Sequence, residues 1–185
     1  MKQFPIVIIL VSCLMNGFAH LLYLIDVNIL ELERMQPLIA ALIRFGDLTL
    51  IFGFIGIFLI LTNRDLIKWL SLGFSVVGIL RFFLIEFSLI GVFSLISFLI
   101  LVVQISFLIM FVLKISEQNR TSIAHKGYLV IGLTILYCIS ILILMFMANQ
   151  PQTLNESILS VFYIGFQLGL WMFFKQWYKE RTIST

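Results

Sequence analysis

The chain has 185 residues, of which 62% are hydrophobic and 11% are charged, with a formal net charge of +3 at pH 7. Soluble domains carry about a quarter charged residues, so this composition leaves too little polar surface to cover a water-soluble globule. It excludes an ordinary soluble domain and predicts an integral membrane protein, with residues 1–185 forming a single transmembrane domain.

The apolar runs predict an all-α bundle, because a transmembrane helix needs about 20 mostly apolar residues. Six such spans are expected, at about residues 4–25, 37–61, 66–85, 89–113, 128–147 and 156–174. In the first, "LVSC" ending at Cys13 resembles a lipoprotein cleavage box. The apolar run continues beyond that cysteine, which favours a span over a cleaved leader.

The boundary between the third and fourth spans follows from length. Residues 67–113 contain few charges, yet one helix of that length would reach about 70 Å, over twice a hydrocarbon core of ~30 Å. The chain must turn, and the polar stretch "EFS" at residues 86–88 is the expected place, with Ser88 capping the fourth span.

The basic residues predict the orientation. Most of them fall at the N-terminus, in the second and fourth links, or in the tail. The other three links carry a single arginine, Arg34, against several acidic residues. This positive-inside bias predicts that both termini are cytoplasmic, in a bacterial or archaeal cytoplasmic membrane. Tryptophans and tyrosines near the same edge, Trp177 among them, are expected to be interfacial.

Charged and polar side chains inside the spans are the candidate site. With about 1.5 Å of rise per residue, several of them reach the outer half of the bundle. The candidate ligand-binding residues are Asn16, His20, Arg44, Asp47, Arg81, Glu86, Tyr163 and Gln167.

Two arginines and two acids at similar depths predict a neutral network, because an isolated charge in hydrocarbon costs about 3 kcal/mol on insertion scales. We expect Asp47 to bridge Arg44 and Arg81, with Glu86 capping the network from the outer surface. Gly46 and other glycines in the second span are expected to permit close helix approach. The network either lines a ligand pocket or only fixes helix packing, and the sequence leaves both interpretations open.

No catalytic or cofactor motif is found. The sequence has no HExxH, no GxSxG, no P-loop and no glycine-rich phosphate cradle. A two-histidine haem is disfavoured because His125 lies in a predicted cytoplasmic link, far from His20. No catalytic residue, metal or cofactor is therefore expected, and nucleic acid is not an expected partner because the basic residues follow the membrane edge.

Arg44, Gly46, Asp47 and Leu48, followed by a long apolar run, a short polar link and the next span, carry one resemblance. This stretch resembles the second and third spans of a family of uncharacterised bacterial six-span inner-membrane proteins. The resemblance covers about a third of the chain and implies a six-helix bundle alone.

The sequence as a whole predicts a polytopic, non-enzymatic protein. It is expected to bind, or help to transport, a small polar or amphipathic ligand through the charged pocket. The predicted partners are membrane lipids, that ligand and a membrane protein. An intramembrane enzyme acting on a lipid, and a structural or regulatory subunit of a membrane complex, are the alternatives.

Overall fold

The computed structural model describes residues 3–26, 35–61, 66–87, 95–118, 121–146 and 152–183. Within these ranges the chain is helical and contains no strand. The helices are α1 (Phe4–Ile25), α2 (Gln36–Ile60), α3 (Leu66–Glu86), α4 (Leu95–Gln118), α5 (Thr121–Phe146) and α6 (Gln152–Ile183). All six are long and apolar enough to cross a membrane, so the predicted all-α, multi-pass class is confirmed.

Local sequence explains where the first two helices begin and end. Pro5 and Pro37 occupy the first turn of α1 and α2. Proline has no backbone N–H, but an N–H in the first turn would have no intrahelical acceptor, so no helix hydrogen bond is lost. Leu61 ends α2 in an extended conformation while its N–H still bonds the carbonyl of Ile57 at 3.1 Å. Helix α3 ends at Glu86, where the sequence predicts a turn. Ser88, the predicted cap, and Leu89, the predicted start of the fourth span, lie outside the described residues.

The last three helices extend past the predicted spans. α4 continues to Gln118, α5 begins at Thr121, and α6 reaches Ile183. The span estimate counts apolar residues, but backbone hydrogen bonding continues through polar residues beyond the hydrocarbon. The ends are held by polar contacts at 3.0 Å, between Lys114 and Glu117 and between Lys126 and Gln176.

The helices pack as a ring in chain order, and α6 closes the ring against α1. Contacts between neighbours run antiparallel; for example, Gly53 and Gly56 of α2 lie against Ile9 and Pro5 of α1. Because the six helices alternate in direction, Phe4 and Ile183 lie at the same end of the bundle. We call the opposite half of the bundle distal.

The half near the described chain ends has an aromatic core. Phe54 is fully buried, with its ring centroid 4.3 Å from that of Phe74, 5.2 Å from Phe111 and 5.8 Å from Phe174. Trp177, expected at the membrane interface, is 3% exposed and contacts Phe111 edge-on. The C-terminal extension of α6 therefore packs against the bundle, and the interfacial depth of Trp177 stays a prediction.

Candidate functional site

A small group of polar side chains lies inside the distal half of the bundle. We call five of them, contributed by four helices, the distal polar cluster: Asn16, His20, Asp47, Arg81 and Tyr163. Asp47 is at its centre. The Oδ1 atom of Asp47 accepts hydrogen bonds from Asn16 Nδ2 and from the Tyr163 hydroxyl, each at 3.0 Å. A carboxylate on α2 is therefore tied to α1 and α6.

Gly46 allows Asn16 to reach that carboxylate. A Cβ atom at Gly46 would collide with the Asn16 amide, so only glycine leaves room for it. One turn earlier on α1, the buried Ser12 hydroxyl donates to the Gly46 carbonyl at 2.6 Å. The glycine immediately before Asp47 thus brings α1 and α2 close together, as the sequence predicted.

The second oxygen of Asp47, Oδ2, makes no hydrogen bond to any described residue. The Asp47 side chain is also only half-buried, although it lies deep within the distal half. Buried polar groups normally find partners. Oδ1 of Asp47 therefore accepts two hydrogen bonds from the protein, whereas Oδ2 accepts none from the described residues.

Arg81 does not form the predicted ion pair. The packing of α3 on α2, with Ser75 bonded to the carbonyl of Ile51, places Arg81 at the level of Asp47. The two charges interact electrostatically, but no nitrogen of Arg81 lies within 4.0 Å of an Asp47 oxygen. The buried Nε of Arg81 has no hydrogen-bond partner among the described residues. The predicted bridge by Asp47 between two arginines is wrong.

Arg44 takes a different partner from the one expected. Its Nη1 pairs with Glu86 Oε1 at 3.0 Å, and the two side chains are 61% and 37% exposed. A long arginine side chain can extend along the bundle toward the polar edge, so Arg44 reaches the end of α3 instead of Asp47. Arg44 and Glu86 therefore form a separate pair at the rim, outside the distal polar cluster.

His20 adds a contact that the sequence left undetected. Its Nδ1 lies 3.1 Å from the hydroxyl of buried Ser160, and its ring stacks at a tilt on Tyr163 with centroids 4.3 Å apart. Ser160, Tyr163 and Gln167 fall on one face of α6 at helical spacing, and this pattern was the signal that could have identified Ser160. Tyr137, another missed residue, lies 5.3 Å from Tyr163 between ring centroids.

Gln167 is at the inner edge of the cluster. It is 1% exposed, and neither its amide nitrogen nor its amide oxygen has a hydrogen-bond partner among the described residues. It lies one turn from Tyr163 and approaches the tyrosine hydroxyl without reaching hydrogen-bond geometry. Gln167 is thus near the cluster but not bonded to it.

The arrangement offers little for nucleophilic catalysis. Ser160 is inside a regular helix, where backbone N–H groups are used by the helix itself and cannot form an oxyanion hole. Among the described residues, no three His, Cys, Asp or Glu side chains are grouped to hold a metal ion. Within the described part of the chain, the cluster presents one carboxylate oxygen and one guanidinium that lack hydrogen-bond partners.

Known proteins give no information about the function of this chain, so its function is inferred from the geometry of the site. The chain matches no protein-family model, and no similar curated protein or solved structure is found. The resemblance of the α2–α3 stretch to bacterial six-span proteins therefore stays a prediction.

Proposed function

We propose that this membrane protein binds a small polar or amphipathic ligand at the distal polar cluster, and that it acts in binding or assisted transport and not as an enzyme. The observation that carries the proposal is Arg81, which makes no hydrogen bond or ion pair with a described residue. A charged side chain within a span costs about 2.5–3.5 kcal/mol on insertion scales. A direct bond to Asp47 would lower this cost, but the two charges interact only at a distance.

The two groups favour a ligand with complementary polar atoms. The guanidinium of Arg81 offers donors in a planar fork that suits a carboxylate or phosphate. Asp47 Oδ2, which has no hydrogen-bond donor among the described residues, can accept a hydrogen bond from a ligand and attracts positive charge. A molecule with an acceptor for Arg81 and a donor for Asp47 would satisfy both groups without a direct protein ion pair.

The orientation is part of the same proposal. The distribution of basic residues supports cytoplasmic termini in a bacterial or archaeal cytoplasmic membrane. In that orientation the distal polar cluster lies in the outer half of the bilayer. The Arg44–Glu86 pair would then be at the outer rim, where its exposure is tolerated.

An intramembrane enzyme acting on a lipid is the second candidate. The observation that favours it is the contact between His20 and Ser160, since a histidine beside a serine is one way to activate a nucleophile. Labelling by a lipophilic fluorophosphonate separates the two candidates. Covalent labelling that disappears in Ser160→Ala supports the enzyme, and the absence of labelling favours the binding function.

The binding function is tested by native mass spectrometry of the protein extracted into nanodiscs. We expect a co-purifying small molecule on the wild type that is lost in Arg81→Gln and in Asp47→Asn. Arg44→Gln is the matched control, because it removes a charge outside the cluster. A molecule retained equally by all three variants, or bound to none of the four proteins, contradicts the proposal.

A further inference from the structure

A groove of about 270 Å³ lies between α1 and α6. Its walls are apolar side chains on the outer surface of the bundle, including Leu14, Phe18 and Leu168, each about half exposed. Such side chains on a membrane-spanning bundle face lipid. The groove therefore opens sideways into the bilayer.

A polar group lies at the base of this apolar groove. Gln167 lines it, is 1% exposed, and has both amide atoms without a hydrogen-bond partner among the described residues. In a membrane interior a glutamine usually bonds across to another helix, because a polar group left alone in hydrocarbon is costly. Opposite it on α1 is Gly17, whose missing side chain keeps the groove open; an added Cβ would meet nothing closer than Gln167 Cβ at 3.9 Å.

We infer that this groove holds a single-chain lipid whose neutral head hydrogen-bonds to Gln167. An amide presents a donor and an acceptor together, so the matching head is one that does both: a hydroxyl, an amide or a protonated carboxyl group. No charged side chain lines the groove, so a charged phospholipid head would be left unpaired there. The volume is just below the range of about 300–1,000 Å³ for small-molecule sites, which suits one chain.

The inference rests on the proposed function and specifies the ligand class and its path. Gln167 lies one turn from Tyr163, which is bonded to Asp47. A head held at Gln167 is therefore at the inner edge of the distal polar cluster. The groove provides lateral entry from the bilayer to that cluster.

The test uses a long-chain alcohol bearing a photoactivatable diazirine, incorporated in nanodiscs with the full-length protein. Cross-linked peptides are mapped by mass spectrometry. We expect labelling concentrated on α1 and α6 around Gly17 and Leu168, reduced about five- to tenfold by Gln167→Leu through loss of the hydrogen bonds. The unlabelled alcohol should compete, and the alkane of the same length should not.

Two further variants keep the result interpretable. Gln104→Leu removes a different glutamine within a span, the half-buried one on α4, and should leave labelling unchanged. Gly17→Leu fills the groove while keeping the Gln167 side chain, and it should abolish labelling even if Gln167→Leu folds poorly. Labelling spread evenly over all helices, or insensitive to both groove variants, overturns the inference. Labelling of the distal polar cluster without the groove also overturns it, while leaving the proposed function standing.

Discussion

Replacement of Tyr163 by phenylalanine tests the hydrogen bonding of the distal polar cluster. The change removes one hydroxyl, which donates to Asp47 Oδ1 at 3.0 Å, and keeps the ring that stacks on His20. Hydrogen bonds to charged groups contribute about 1.5–3 kcal/mol in soluble proteins, whereas interhelical bonds in membranes average about 0.6 kcal/mol and reach about 1.7. Asp47 retains its bond from Asn16, so we expect a loss of about 1–1.5 kcal/mol.

Tyr137→Phe is the matched control. Tyr137 packs beside Tyr163, but its hydroxyl makes no hydrogen bond to a described residue, so its removal should change stability by less than about 0.5 kcal/mol. The free energy of unfolding is measured by denaturant titration in mixed micelles, with both variants and the wild type in the same detergent. A Tyr163→Phe variant as stable as the wild type, or equal losses in both variants, would refute the assignment of Asp47 as the hydrogen-bonded centre.

Three other predictions concern the packing around the site, all read out as unfolding free energy in the same micelles. Gly46→Ala should lose about 1–3 kcal/mol of unfolding free energy through overpacking against Asn16. Gly132→Ala, which has open space around it, should be neutral or gain up to about 1 kcal/mol. Equal effects of the two variants would contradict the close contact of α1 with α2 at Gly46. Phe54→Ala should lose about 3–5 kcal/mol, because the side chain is fully buried, whereas exposed Phe52→Ala should lose under about 0.5 kcal/mol; a reversed order would disprove the aromatic core. Glu86→Gln should lose less than about 1 kcal/mol, since it breaks an exposed ion pair, and a larger loss would place that pair inside the cluster.

Sequence reasoning predicted the helical class well because it depends on composition and run length. The first three helices agree closely with the predicted spans, since Pro5, Pro37 and the charged ends of the runs mark their limits. The extensions of α4, α5 and α6 were missed because helical hydrogen bonding does not depend on apolar content. The burial of Trp177 was missed for the same reason, as it follows from how far α6 continues.

The structure brings five of the eight predicted side chains together in the distal polar cluster, but not in the predicted pairing. Depth along each helix follows from counting residues, so Asn16, Asp47 and Tyr163 were expected at one level, where they lie. Which side chain bonds to which depends on rotation of each helix about its axis and on side-chain reach. Arg44 extends to Glu86 instead of Asp47 for that reason, and no count of residues reveals it.

Arg81 and Asp47 share a layer of the bundle without bonding to each other, and we propose that a ligand connects them. The most direct measurement is an electron cryomicroscopy structure of the protein in nanodiscs made from its native membrane. We expect density for a molecule other than water that contacts the Arg81 guanidinium and Asp47 Oδ2, with no Arg81 nitrogen within 4.0 Å of an Asp47 oxygen. A direct Arg81–Asp47 bond of about 2.7–2.9 Å, with nothing between the two groups, would contradict it.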